Sequence, residues 1–330
     1  MTSPLALARW LVALAALAAP PAFAADKLVF GTNWKAQAEH GGYYHAVAEG
    51  IYARYGLDVE IRQGGPSINH SQLLAAGRVD FNMGGNTDGC FYYVQAGIPM
   101  VCIGAIFQKD PQVLISHPGV GNDSLAQLKG KPLMIGQGGR ISFWQWLKLK
   151  YGYSDDQLRP YNFNPGPFLV DRQASQQGYI TSEPFAIETQ GGFKPVLHLL
   201  ADNGYDAYST LIETSWKLVN EKPDVVQRFV DATILGWKGY FEGDRARTHA
   251  LIKKDNPDIS DAQLDYSVKA MRDHGIVMSG EALQFGIGAM TDARIAAYFK
   301  SRVELGQFPP GLDIGKAYTL RFVNKRVGLN

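Results

Sequence analysis

Asn33 and Trp34 come directly after the apolar run Leu28-Val29-Phe30, separated from it by Gly31 and Thr32. An amide beside an indole at a strand end can hydrogen-bond a ligand and offer it a flat apolar wall. Such aromatic pairing adds roughly 0.5–1.5 kcal/mol beyond area burial. Downstream, Gly41-Gly42 lead into Tyr43 and Tyr44. One of these tyrosines suits a ligand-facing hydroxyl and the other a buried position, and the residues themselves do not decide between them. Gly64 and Gly65 allow close backbone approach and present N–H groups, with Ser67 as the cap of a following helix. A loop of this kind binds anions readily, and it equally suits an ordinary tight turn. Asn86, in Met83-Gly84-Gly85-Asn86-Thr87-Asp88, offers donor and acceptor together. Gln137 and Gly138 occupy the equivalent turn in Gly136-Gln137-Gly138-Gly139-Arg140, which lacks the spacing of a dinucleotide fingerprint. Phe168, after Pro165-Gly166-Pro167, and Tyr179 with Glu183, ahead of Pro184, complete the candidates. Glu183 also suits a helix N-terminus, where the dipole favours an acid.

These residues fall at junctions between strands and helices. Apolar runs predict strands near 27–31, 57–62, 78–83, 98–106, 111–116, 132–136, 160–163, 177–181 and 195–200. Helical patterns lie near 40–54, 67–76, 87–96, 141–150, 167–174 and 183–190. Their alternation indicates βαβ units and a mainly parallel α/β fold. In such sheets ligands bind beyond the C-terminal strand ends. One series gives way to another near Gln108-Lys109-Asp110-Pro111, and the chain returns near Asp202-Asn203-Gly204. The expectation is two lobes, 25–110 with 203–330 and 111–202, joined by two crossovers that make a hinge. From about Ile212 the pattern becomes helical and strand-poor. There Val225, Val226, Phe229, Val230, Ile234 and Trp237 trace an apolar stripe behind Pro223.

The first residues read as an export signal. Arg9 precedes an apolar run over residues 10–19, and Pro20-Pro21 and Ala22-Phe23-Ala24 supply a break and a cleavage site. A membrane span needs roughly 20 apolar residues, so a cleaved leader over 1–24 and a periplasmic location are expected. Without Arg9, 31 basic residues stand against 31 acidic ones. That balance argues against nucleic acid as a partner. Cys90 and Cys102 either pair or sit separately in the core. The seven histidines are scattered without zinc spacing, so no metal and no cofactor are expected. No Gly-x-Ser-x-Gly elbow and no paired acid couple is evident, which argues against an enzyme.

The opening unit, from Phe30-Gly31-Thr32-Asn33-Trp34 to Gly41-Gly42-Tyr43-Tyr44, resembles that of the periplasmic solute-binding proteins grouped with thiamine-pyrimidine-precursor, riboflavin and sulfonate transporters. Gln63-Gly64-Gly65-Pro66-Ser67, Gly77-Arg78-Val79-Asp80-Phe81, Ala96-Gly97-Ile98-Pro99 and Gln177-Gly178-Tyr179-Ile180-Thr181-Ser182-Glu183-Pro184 follow in the same family order. The resemblance runs over about 27–193. It implies a two-lobed, type II periplasmic binding protein of an ABC importer, expected as a monomer that delivers its ligand to a permease. It further implies that Trp34 and Tyr179 sandwich a ring and that Glu183 accepts from ring-amino donors. The cysteine-rich segment of the related fungal pyrimidine synthases is missing. The loop Trp34-Lys35-Ala36-Gln37-Ala38-Glu39 departs from the common version, which leaves a sulfonate, an aromatic carboxylate or a flavin open as the ligand.

Overall fold

The structure, a computed structural model, describes residues 24–65, 68 and 70–329. The expected leader apart from Ala24, and the expected cap Ser67, lie outside the described residues.

Among the described residues, ten strands form two five-stranded sheets. The first contains β1 (Asp26–Gly31), β2 (Leu57–Arg62), β3 (Phe81–Met83), β4 (Met100–Phe107) and β10 (Ser209–Ser215), in the order β2-β1-β3-β10-β4. The second contains β5 (Gln112–Ser116), β6 (Leu133–Met134), β7 (Leu158–Arg159), β8 (Ser175–Tyr179) and β9 (Val196–Leu199), in the order β7-β6-β8-β5-β9. The chain crosses between the sheets twice, over 108–111 and over 200–208. Lys109 of the first crossover pairs with Asp202 of the second at 2.7 Å. Two α/β lobes therefore share two neighbouring connections, the arrangement of a type II periplasmic binding fold.

Neither sheet is wholly parallel. β10 runs antiparallel to both β3 and β4, and β5 runs antiparallel to β8 and β9. The sequence reading had no strand at 209–215, because Ser209, Thr210, Glu213, Thr214 and Ser215 make a polar segment. It is nonetheless buried in the sheet interior, since its polar atoms are bonded. Glu213 accepts from Asn82 and Tyr93, each at 2.7 Å, and the Thr214 hydroxyl donates to the Asp80 carbonyl at 2.8 Å. The strand expected at 160–163 lies instead at β7, and 160–163 leave the sheet toward the cleft.

The helix Pro223–Glu242 covers the first sheet with the predicted stripe, every member of which is buried. Phe229 stacks on Phe81 with ring centroids 3.9 Å apart. Against it lies Gly41–Ala48, and here the glycine pair is explained. A Cβ on Gly42 would fall 2.2 Å from the Trp237 ring, so only glycine lets the two helices approach this closely. Cys90 and Cys102 form a disulfide that ties the helix Thr87–Gln95 to β4.

Candidate ligand-binding cleft

The loop after β1 is built to present Trp34. The Thr32 hydroxyl donates to the Trp34 carbonyl at 2.8 Å, and the Gly64 amide donates to that same carbonyl at 3.0 Å. A Cβ on Gly64 would lie 2.4 Å from the Thr32 carbonyl oxygen, so this glycine lets the second loop clamp the first from behind. From the other lobe, Phe163 brings its ring to 4.8 Å from Trp34. Its backbone is left-handed, with φ 63°, an uncommon state for an aromatic residue.

Between the lobes lies a cavity of about 230 Å³. Lobe one supplies Asn33, Trp34, Gln37, Glu39 and Met83. Gln112, Gly136, Gly138, Gly139, Phe163, Gln177, Tyr179, Ser182 and Glu183 close it from lobe two. An adjoining compartment of about 250 Å³ shares Trp34, Gln37, Phe163, Ser182 and Glu183 and opens toward Lys35, Asn256 and Asp258. No Lys or Arg is among the described residues lining the inner compartment.

Five sequence candidates meet here: Asn33, Trp34, Gly138, Tyr179 and Glu183. The others are placed elsewhere. Tyr43 is wholly buried, stacked on Phe30 at 4.1 Å and edge-on to Trp237, so it belongs to the lobe core. Tyr44 does not line the cavity either; its hydroxyl donates to Asp255 at 2.6 Å. Phe168 is wholly buried beneath lobe two, stacked with His117 at 4.4 Å. Asn86 caps the helix Thr87–Gln95 by accepting from the Asp88 amide, and its own amide donates to the Tyr205 hydroxyl at 3.2 Å. Gly64 packs behind the Trp34 loop, Gly65 has open space around it, and Gln137 is exposed outside the lining. Asn86, Gly64 and Gln137 do lie at the junction of a strand and the following helix, but which side of such a turn faces the cleft is a tertiary property.

Glu183 is the first residue of the helix Glu183–Gly191, where the dipole favours an acid, and its carboxyl group reaches back to accept from the Tyr179 amide at the end of β8 at 2.7 Å. Its other oxygen lies 3.4 Å from the Tyr161 hydroxyl. Burial raises its pKa above the ordinary carboxyl range. Glu39, which the sequence reading did not single out, is 1% exposed and accepts from the Thr181 hydroxyl across the cleft. Burial lifts its pKa to about 7, and the charge of Glu183 adds to that rise. Neighbouring His40 is held down to about 3 by burial, with Nε2 3.3 Å from Asn33 Oδ1, so it is neutral and brings no positive charge. The site thus offers aromatic walls, amide groups and two acids, one per lobe.

Residues 37–244 match the profile of a family described as NMT1/THI5 like. The chain is 27% identical over 133 residues to 4-amino-5-hydroxymethyl-2-methylpyrimidine phosphate synthase of Schizosaccharomyces pombe, covering 39% of this chain and 37% of that protein. It is 25% identical over 205 residues to the riboflavin-binding protein RibY of Chloroflexus aurantiacus, covering 59% and 56%. The chain therefore spans less than two thirds of either relative's length. Among solved structures, the periplasmic aliphatic sulphonate binding protein SsuA of Escherichia coli superposes with a TM-score of 0.64 at 13% identity, over 88% of this chain and 91% of that one. That likeness is one of fold.

Proposed function

Because the chain belongs to the NMT1/THI5-like family, we propose that its cleft captures a small planar heterocycle with ring-amino donors, of the thiamine-pyrimidine-precursor type, and hands it to a membrane permease. On this reading the protein serves as the periplasmic solute-binding component of an ABC importer, a transport role rather than a catalytic one, and the fold shared with a sulphonate binding protein supports it. The observation that carries the finer reading is the lining of the inner cavity, with Trp34, Phe163 and Tyr179 as aromatic surfaces and Glu39 and Glu183 as acceptors. A ring fits between such walls, and amino hydrogens can donate to the remaining lone pairs of two buried carboxyl groups that an anionic ligand would only face with like charge. The two relatives' names, a pyrimidine phosphate synthase and a riboflavin-binding protein, both point to nitrogen heterocycles.

An anion meets two acids and, among the described residues of the inner lining, no basic side chain. A flavin is the second reading, supported by the adjoining compartment that shares Trp34, Phe163 and Glu183, since a longer ligand would fill both. A thermal-shift screen of aminopyrimidines, flavins, sulfonates and aromatic carboxylates, repeated on Glu183→Gln, tests the reading. A ligand at 100-fold its Kd adds about 2.7 kcal/mol. The expected result is stabilisation by an aminopyrimidine that Glu183→Gln removes. Stabilisation by sulfonates alone would overturn the reading.

A further inference from the structure

Glu39 and Glu183 enter one cavity from opposite lobes. Thr181 bonds Oε1 of Glu39, which leaves Oε2 without a side-chain partner among the described residues. The charges that act on this pair and on the tyrosines beside it are those of Glu39, Glu183 and Asp110 and, at Tyr240, Arg245 and Asp265, so the balance is acidic with Arg245 as the one cation among the groups named. Closing the lobes on an empty site therefore brings two acids together in a dry space, where like charges are costly. A positive charge between them turns that cost into attraction, while Trp34 and Phe163 supply faces that also favour a cation.

Resting on the heterocycle reading above, we infer that the ligand is bound as a cation, an amidinium or protonated aminoheterocycle, with Glu39 as the residue that selects for its charge. Glu183 meets the ring from lobe two and Glu39 meets the charge from lobe one, so selection and closure are a single event. The neutral form of the same ring would leave the Glu39–Glu183 repulsion, or a bound proton, in place. Since burial holds Glu39 near 7, cation binding near that pH also expels a proton.

Three planar rings of similar size test this by calorimetry on the purified protein at pH 7: benzamidinium, benzamide and benzenesulfonate. Benzamidinium is expected to bind about tenfold or more tightly than benzamide, the scale of a hydrogen bond to a charged group. It should release protons, seen as heats that vary with the buffer's ionisation enthalpy, and benzenesulfonate should give no binding. Glu39→Gln should abolish the preference, bringing the affinities of benzamidinium and benzamide together through a larger loss for benzamidinium. If that variant does not fold, Thr181→Val, which retains both acids, should keep the charge preference. Equal affinities for the cation and the neutral ring overturn the inference, as does an equal loss of both in Glu39→Gln or binding of none of the three. An aminopyrimidine that binds without a charge preference removes this inference and leaves the proposed function standing. Benzenesulfonate as the sole binder removes both.

Discussion

The Thr181 hydroxyl donates to the Glu39 carboxyl group, joining residues 142 positions apart from opposite lobes. The carbonyl of Thr181 also accepts from Ser267 at 2.6 Å, and that of Ile180 accepts from Tyr266 at 3.3 Å. The helix Asp261–Asp273 thus grips the same turn that Glu39 holds. Thr181→Val keeps the volume and removes the hydroxyl. A neutral hydrogen bond contributes about 0.5–1.5 kcal/mol, so ligand affinity should fall roughly two- to tenfold. Scattering should show a less compact liganded state. Unchanged affinity and shape would mean that closure does not use this bond.

Stability should depend on pH through buried acids. Burial holds Glu39, Asp110 and Glu213 at about 7 each. Between the ordinary carboxyl range and about pH 7 the folded chain therefore binds more protons than the unfolded one, and stability falls as pH rises. The histidines act in the opposite sense. His40 is held down to about 3, and His45, His70, His198 and His249 are lowered too, all chiefly by burial. Their contribution is still growing at about pH 6.5, where an ordinary histidine is half protonated, and is complete about a unit higher. From about pH 6.5 to 8 each acid loses roughly 1 kcal/mol while the histidines offset much of the sum, so the informative readout is the melting temperature of a variant lacking one acid against the wild type. Glu213→Gln keeps an acceptor for Tyr93 and Asn82 and should make the slope across that window more positive than the wild type's. An unaltered slope would show that Glu213 is ionised in the fold.

Periodicity and punctuation revealed most of the architecture, because an apolar strand or a helical stripe carries its burial in its own pattern. The stripe behind Pro223 and the turn glycines are such local signals. β10 carried none, because its place between β3 and β4 rests on bonds from Glu213 and Thr214 to residues over a hundred positions away. The site divides in the same way. Trp34, Tyr179 and Glu183 stand at strand ends, where the fold puts ligands, and were legible. Glu39 lies in a short 3-10 turn, Ala38–His40, and its partner Thr181 comes from the other lobe, which no local pattern reveals. Tyr43, a candidate for a ligand-facing hydroxyl, and Phe168, a candidate cleft wall, are core residues, because an aromatic after glycine or proline reads alike whether it faces a cleft or a core.

The Cys90–Cys102 disulfide closes a loop of 12 residues between the helix Thr87–Gln95 and β4. In the chain-entropy account a loop of this size stabilises by about 2–3 kcal/mol. The double variant Cys90→Ser with Cys102→Ser should lower the urea midpoint accordingly, and a reducing agent should lower the wild-type midpoint but not that of the variant. A reducing agent without effect on the wild type would argue against the bond.

Two adjacent glycines at the cleft should respond differently to a methyl group. Gly138 and Gly139 both belong to the short helix Gln137–Ile141 and both line the cavity. A Cβ on Gly138 meets nothing within 4 Å, whereas one on Gly139 would lie 2.7 Å from Gln177 Oε1, Ile135 and Phe143. That same Gln177 oxygen accepts from the Gly136 amide at 2.7 Å, so displacing it disturbs the turn that frames the site. Gly139→Ala should therefore cost about 1–3 kcal/mol, a fall of several degrees in melting temperature, together with weaker ligand binding. Gly138→Ala should stay within about 0.5 kcal/mol of the parent, as a surface change does. Any loss of affinity in Gly138→Ala then has to come from the ligand itself approaching that backbone. Thermal melts and titrations of the two variants separate these effects, and equal destabilisation by both would contradict the packing around Gly139.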